Sequence, residues 1–131
     1  MEVCLDTSAY SAFKRGHPAV VEAVARSTRI LISPIILGEL YAGFKGGRRE
    51  RENKEELSQF LGSPRVELVP VDEGTSERYA EILTHLRTAG TPIPTNDVWI
   101  SATAMQSGAA VLTTDPHFRK VPQVLTYLHL P

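Results

Sequence analysis

The 131-residue chain has a single cysteine, Cys4. One thiol inside an apolar run builds neither a disulfide framework nor a cysteine zinc site. Long apolar runs are missing as well. Nothing approaches the ~18 residues of a membrane span, and the acidic Glu2 does not suit a secretory signal, so a cytoplasmic protein without a membrane partner is expected. There is no excess of positive charge. Fourteen Lys and Arg against fifteen Asp and Glu leave a net charge of −1, which argues against a protein that grips nucleic acid by bulk charge. Repeats, low-complexity tracts and linkers are also absent. What is present is a 42% apolar composition with short apolar runs such as Ile30-Leu31-Ile32 and Val111-Leu112. Those runs exclude disorder, and the length suits one domain spanning residues 1–131.

Aspartate is scarce: Asp6, Asp72, Asp97 and Asp115 are the four, beside eleven glutamates. If Asp6, Glu39, Asp97 and Asp115 line one site, fourteen basic residues face eleven remaining acids, a balance of +3. A near-neutral chain thus has room for an acidic pocket in a mildly basic surface. Ten of the fourteen basic residues are arginine, the better bidentate partner for phosphate.

Val3-Cys4-Leu5 reads as a buried strand that ends at Asp6, with a short helix from Ala9 to Lys14 beyond it. Pro18 opens a second helix, to Arg26. Ile30–Ile32 is a second strand. Ser33 caps the next helix with Pro34 at its first position, and Leu37, Leu40, Tyr41 and Phe44 form its buried face. Gly46-Gly47 breaks that helix, and a charged one follows from Arg48 to Leu61. A third strand lies within Val66–Val71, with Pro70 at its edge or exit. Asp72 begins a long helix to Ala89, and Gly90 stops it. Asn96 caps a helix to Ser107. Ala110–Thr113 and Val124–Tyr127 supply the last strands. Short apolar strands alternating with helices predict an α/β fold with a parallel sheet covered on both faces.

In such a sheet, ligands bind beyond the carboxyl ends of the strands. Asp6 and Asp115 directly follow strands. Glu39 and Asp97 sit near the starts of helices, which leave strands at the same edge. Four acids from four segments can therefore converge. Gathered carboxylates repel and retain protons unless a cation neutralises them. Oxygen ligands without cysteine or histidine select Mg2+, with Mn2+ also suited. Such a site suits phosphodiester hydrolysis by a metal-activated water. Each acid also has a plain structural role open to it: Asp6 as a cap, Glu39 as a solvated helix residue, Asp97 as a partner of the helix dipole, Asp115 in a turn.

These residues resemble a PIN domain, and specifically the VapC-type toxins of bacterial and archaeal toxin–antitoxin pairs. The likeness rests on four segments in the family's order. They are Val3-Cys4-Leu5-Asp6-Thr7-Ser8, Ser33-Pro34-Ile35-Ile36-Leu37-Gly38-Glu39-Leu40, Asn96-Asp97-Val98-Trp99-Ile100-Ser101-Ala102-Thr103-Ala104, and Leu112-Thr113-Thr114-Asp115-Pro116-His117-Phe118. The resemblance implies a PIN-like three-layer α/β/α fold around a parallel sheet of four or five strands. It implies a magnesium-dependent endoribonuclease, the toxin of a type II pair, with an RNA substrate, a cognate antitoxin that blocks the pocket, and a homodimer. The family's acidic positions fall on Asp6, Glu39, Asp97 and Asp115, and its small hydroxyl positions on Ser8 and Thr113. Where some members carry a further acid, this chain has His117.

Arg119 and Lys120 follow Asp115 closely enough to meet substrate phosphates. The basic stretch Lys45–Arg51 is better read as a solvated helix face laced by Arg48–Glu52, Glu50–Lys54 and Arg51–Glu55 pairs. Trp99 is expected to pack in the core. His17, His85, His117 and His129 are scattered, which argues against a histidine metal site. Ala9, Ala12, Phe13, Val20 and Val24 fit either a self-association face or the core. Competing functions are a housekeeping PIN nuclease, a catalytically silent PIN-like binding module, and a receiver-type signalling domain with Asp72 as acceptor.

Overall fold

The computed structural model describes residues 1–131. The elements run β1 (Glu2–Leu5), α1 (Thr7–Lys14), α2 (Pro18–Arg26), β2 (Arg29–Ile32), α3 (Pro34–Lys45) and α4 (Glu50–Leu61). Then follow β3 (Val66–Leu68), α5 (Glu73–Ala89), α6 (Thr95–Ser107), β4 (Ala110–Thr113), a 3-10 helix (Pro116–Lys120) and β5 (Thr126–Leu128). All strands are parallel, in the order β3-β2-β1-β4-β5. This is the α/β architecture the sequence predicts, with five strands. The chain steps outward from β1 through β2 to β3, then returns past β1 to β4 and β5. Right-handed crossovers therefore put α1–α4 on one face and α5–α6 on the other. The reversal falls between β1 and β4, where Val3 pairs with Ala110 and Leu5 with Leu112.

Being covered on both faces, the central strands are apolar throughout rather than alternating. Val3, Cys4, Leu5, Leu31, Ile32, Val111 and Leu112 are fully buried. A second cluster of Ile82, Leu86, Val98 and Ala102 joins α5 to α6. Ser33 caps α3 by accepting from Ile35 N, and a reciprocal Asp72–Thr75 capping box starts α5. Gly90 and Gly108, at φ of 69° and 68°, end α5 and α6 in the left-handed turn that glycine favours. No helix is long and apolar enough to cross a membrane.

Several sequence expectations need correction. Pro94, not Asn96, holds the cap position of α6, so Asn96 is the second residue of the helix and its side chain is free to reach elsewhere. Helix α4 starts at Glu50, which leaves Arg48 outside it. Of the three expected ion pairs only Arg51–Glu55 forms, at 3.7 Å, while Glu50 turns back to Lys45 at 3.4 Å. Strand β3 stops at Leu68, two residues short of Pro70, and β5 is displaced to Thr126–Leu128. On the expected face of α3, Leu40 is buried and Leu37 and Phe44 pack half-buried around it, but Tyr41 is exposed and Ile36 is buried as well. Ala9, Ala12, Val20 and Val24 are core residues with Phe13 packed against them, so they offer no self-association face. Trp99, expected in the core, is half-buried and stacked on Tyr79 with ring centroids 4.0 Å apart.

The 3-10 helix is anchored by Phe118, which is fully buried. Truncating a buried aromatic leaves a cavity that its surroundings refill only in part. Phe118→Ala is expected to lower stability by about 3–5 kcal/mol, read from the denaturant midpoint.

Candidate active site

Asp6 follows β1 at the sheet's point of reversal. Its backbone is extended and its carboxylate caps α1, accepting from Ala9 N at 2.8 Å. Two hydroxyls close around it. Thr113 Oγ1 donates to Asp6 Oδ2 at 2.7 Å, and Ser8 Oγ lies 2.8 Å from both carboxylate oxygens. Each hydroxyl also accepts a backbone N–H, from Asp115 to Thr113 at 2.9 Å and from Thr114 to Ser8 at 3.1 Å. Those N–H groups occupy hydroxyl lone pairs, which leaves the hydroxyl protons to face Asp6. The sequence reading of Ser8 and Thr113 as residues beside the acids agrees with this placement.

Asp115 comes two residues past the end of β4, the strand in register with β1, and its side chain caps the 3-10 helix by accepting from His117 N at 2.9 Å. Asp97 stands in the first turn of α6. Pro116 fixes the 3-10 turn so that His117 folds back over both acids. His117 Nδ1 is 3.1 Å from Asp115 Oδ1 and 3.4 Å from Asp97 Oδ2. Ligand atoms of Asp97, Asp115 and His117 all lie within 4.8 Å of one another. Sequence reasoning missed His117 because it has no cysteine or histidine partner in sequence. The available signal was its place two residues past Asp115, where some PIN domains carry an acid.

Glu39 stands on the other side of the pocket. Thr7 Oγ1 donates to Glu39 Oε1 at 2.5 Å, and Asn96 Nδ2 donates to Glu39 Oε2 at 3.3 Å. Thr7 and Asn96 are the chain neighbours of Asp6 and Asp97, so the same two helix starts that present the acids also hold Glu39. Neither was foreseen. Asn96 could not be found while it was read as a cap. Arg119 and Lys120 are exposed on the 3-10 helix beyond His117. Asp72 is engaged with Thr75 and Gln106 at the start of α5, which removes it as a phosphoacceptor.

Burial first, and charge repulsion after it, disfavour ionised acids in the pocket. Burial raises the pKa of Asp6, and the charge of Asp115 adds to this against the hydrogen bonds from Thr113, Ala9 and Ser8. Asp97 is pushed up to about 6, by burial first and then by Asp115, against the opposing effect of His117. Three acids whose negative charges disfavour one another, with donor atoms clustered as closely as those of Asp97, Asp115 and His117, fit a divalent cation.

A model of the PIN domain family matches residues 3–124. Ribonuclease VapC4 of Mycobacterium tuberculosis is 36% identical over 93 residues, 71% of this chain and 72% of that protein. Ribonuclease VapC2 of Rickettsia felis is 28% identical over 80% of this chain and 78% of its own length. The crystal structure of VapBC2 from Rickettsia felis, bound to a DNA fragment from its promoter, superposes with a TM-score of 0.83 at 27% identity. That alignment covers 97% of this chain and 98% of the other. The chain belongs to the PIN domain family, in its VapC branch.

Because the fold holds the Asp97 proton more tightly than the unfolded chain does, Asp97 favours folding fully only below its ordinary pKa. That contribution is lost as pH rises through about 6. In chelator above pH 7, Asp97→Asn is therefore expected to be more stable than the parent by about 1–2 kcal/mol, allowing for partial solvent screening. The gain should vanish toward pH 4, and thermal unfolding across that range reads it. Thr113→Val removes the Asp6 donor and the acceptor of Asp115 N together. Calorimetry should find divalent-ion affinity lower by about 10–100-fold.

Proposed function

We propose that this chain is a metal-dependent endoribonuclease and the toxin of a type II toxin–antitoxin pair. The observation that carries the reading is the convergence of Asp6, Asp97 and Asp115 at the switch between β1 and β4, with Glu39 tied to the same two helix starts. The curated relatives VapC4 and VapC2 are named ribonucleases, which supports the same reading. Asp6, Glu39, Asp97 and Asp115 are the catalytic acids, and Asp97, Asp115 and Asp6 hold the ion, with Glu39 completing the set. Mg2+ is the ion the oxygen donors favour, with Mn2+ acceptable.

When bound, the ion neutralises the acids, lowers the pKa of a water and polarises a phosphoryl oxygen. The chain's own residues do the rest. Ser8 and Thr113 fix Asp6 and favour its charged form by donating to it. Thr7 and Asn96 hold Glu39 toward the pocket. Arg119 and Lys120, on the rim, meet the RNA backbone, where positive charge is worth most. Hydrolysis leaves a 5′-phosphate and a 3′-hydroxyl.

A cognate antitoxin covering the acidic pocket, a homodimer and a cytoplasmic location go with this reading. The VapBC assembly of the Rickettsia felis relative supports the antitoxin. The whole chain, residues 1–131, serves as one catalytic unit. All four acids are present, and the donor atoms of Asp97 and Asp115 stand close together, which supports catalysis over a silent binding module.

Cleavage of total cellular RNA with Mg2+, with chelator, and with Asp97→Asn tests the proposal by mapping new 5′-phosphate ends. Even groups that only support metal ligands are worth about 10–100-fold. Asp97→Asn is therefore expected to cost at least about 100-fold, with the fold intact. Cuts that survive chelator and the substitution would overturn the assignment.

A further inference from the structure

His117 is the one member of the pocket that is not an oxygen donor, and the reading above gives it no task. Its place is fixed by the local chain. Asp115 accepts from His117 N, Pro116 sets the turn, and Phe118 is buried beneath. The ring itself is not held by packing, since its side chain is 42% exposed. What it offers the pocket is Nδ1, turned to two carboxylates from different elements at 3.1 and 3.4 Å.

Those spacings match a shared coordination sphere. Neighbouring ligands of an octahedral ion with bonds of about 2.1 Å stand about 3 Å apart. Both separations are near that value, so an ion seated on Asp97 Oδ2 and Asp115 Oδ1 has the imidazole nitrogen beside it with little rearrangement. Nitrogen changes which ion gains. Mg2+ takes oxygen and sheds water reluctantly, whereas Mn2+ and the later divalent ions accept imidazole readily.

We propose that His117 Nδ1 completes the Asp97–Asp115 ion site and makes it discriminate for Mn2+ over Mg2+. The inference rests on the metal-dependent reading above and names the residue that sets its ion preference. Asp97 and Asp115 would hold Mg2+ through their carboxylates, and His117 Nδ1 would join them on Mn2+.

The test needs no RNA and no turnover. Pulsed electron paramagnetic resonance of the Mn2+-loaded protein, at a pH where imidazole is neutral, is expected to show coupling to a directly bound nitrogen. His117→Gln should lose that coupling. By calorimetry, the ratio of Mn2+ to Mg2+ affinity should fall about tenfold or more in His117→Gln. His117→Asp, an oxygen donor at the same place, should shift preference toward Mg2+. In chelator His117→Gln is expected to unfold close to the parent, whereas His117→Asp, which sets a further carboxylate beside Asp97 and Asp115, is expected to be less stable until an ion is added. Absence of nitrogen coupling in the parent protein, or an unchanged affinity ratio in His117→Gln, overturns the inference while leaving the metal-dependent reading intact. Failure of the parent protein to bind either ion overturns both.

Discussion

The structure is organised around charges that repel. Asp6, Asp97 and Asp115 come from three separate segments; Asp115 raises the proton affinity of Asp6, and Asp115 and Asp6 raise that of Asp97, across a pocket partly shut off from solvent. A fold does not hold such groups together for stability. The sheet topology makes the arrangement possible, because the chain reverses direction between β1 and β4 and leaves a crevice beyond their carboxyl ends. The remaining features serve to hold the acids there. Fully buried strands fix the ends of β1 and β4, while caps at Asp6 and Asp115 use the acids themselves to start α1 and the 3-10 helix.

Double use of one carboxylate is economical but constrains the sequence. Asp6 accepts from a backbone N–H and from Thr113 and lies against Ser8, so no neutral residue of similar size reproduces both its cap and its charge. The hydroxyls of Ser8 and Thr113 are oriented by backbone N–H groups of the segment that carries Asp115, so β1 and β4 are tied together at the site as well as along the ladder. Cys4, beside Asp6 in sequence, takes no part. Burial pushes its thiol up to about 12, with the charge of Asp6 adding to it, and the group behaves as a small apolar side chain.

Much of this was legible in the sequence, for physical reasons. Continuous apolar runs ending at Asp6 and Thr113 gave away buried parallel strands, and the helix starts at Ser33-Pro34 and Asp72 carried strong capping signals. The acids at strand and helix ends fall to one edge of the sheet from their place in the sequence alone. What was not legible depends on side-chain direction. Asn96 reads as a cap by residue type, but Pro94 starts the helix and frees the amide for Glu39. His117 reads as isolated along the chain, because only the 3-10 turn brings its ring back over two acids. The small apolar residues of α1 and α2 are ambiguous in sequence, since core and interface have the same composition. The crossover direction decides them for the core.

The central claim is that burial and mutual repulsion disfavour ionisation of the pocket's acids and that a divalent ion relieves this. Nuclear magnetic resonance titration of the Asp97 side-chain carboxyl carbon, with and without Mg2+, tests it most directly. The account predicts a midpoint near 6 in the metal-free protein, and a fall below the ordinary carboxylate value when Mg2+ is present. A midpoint at the ordinary value in both conditions would contradict it.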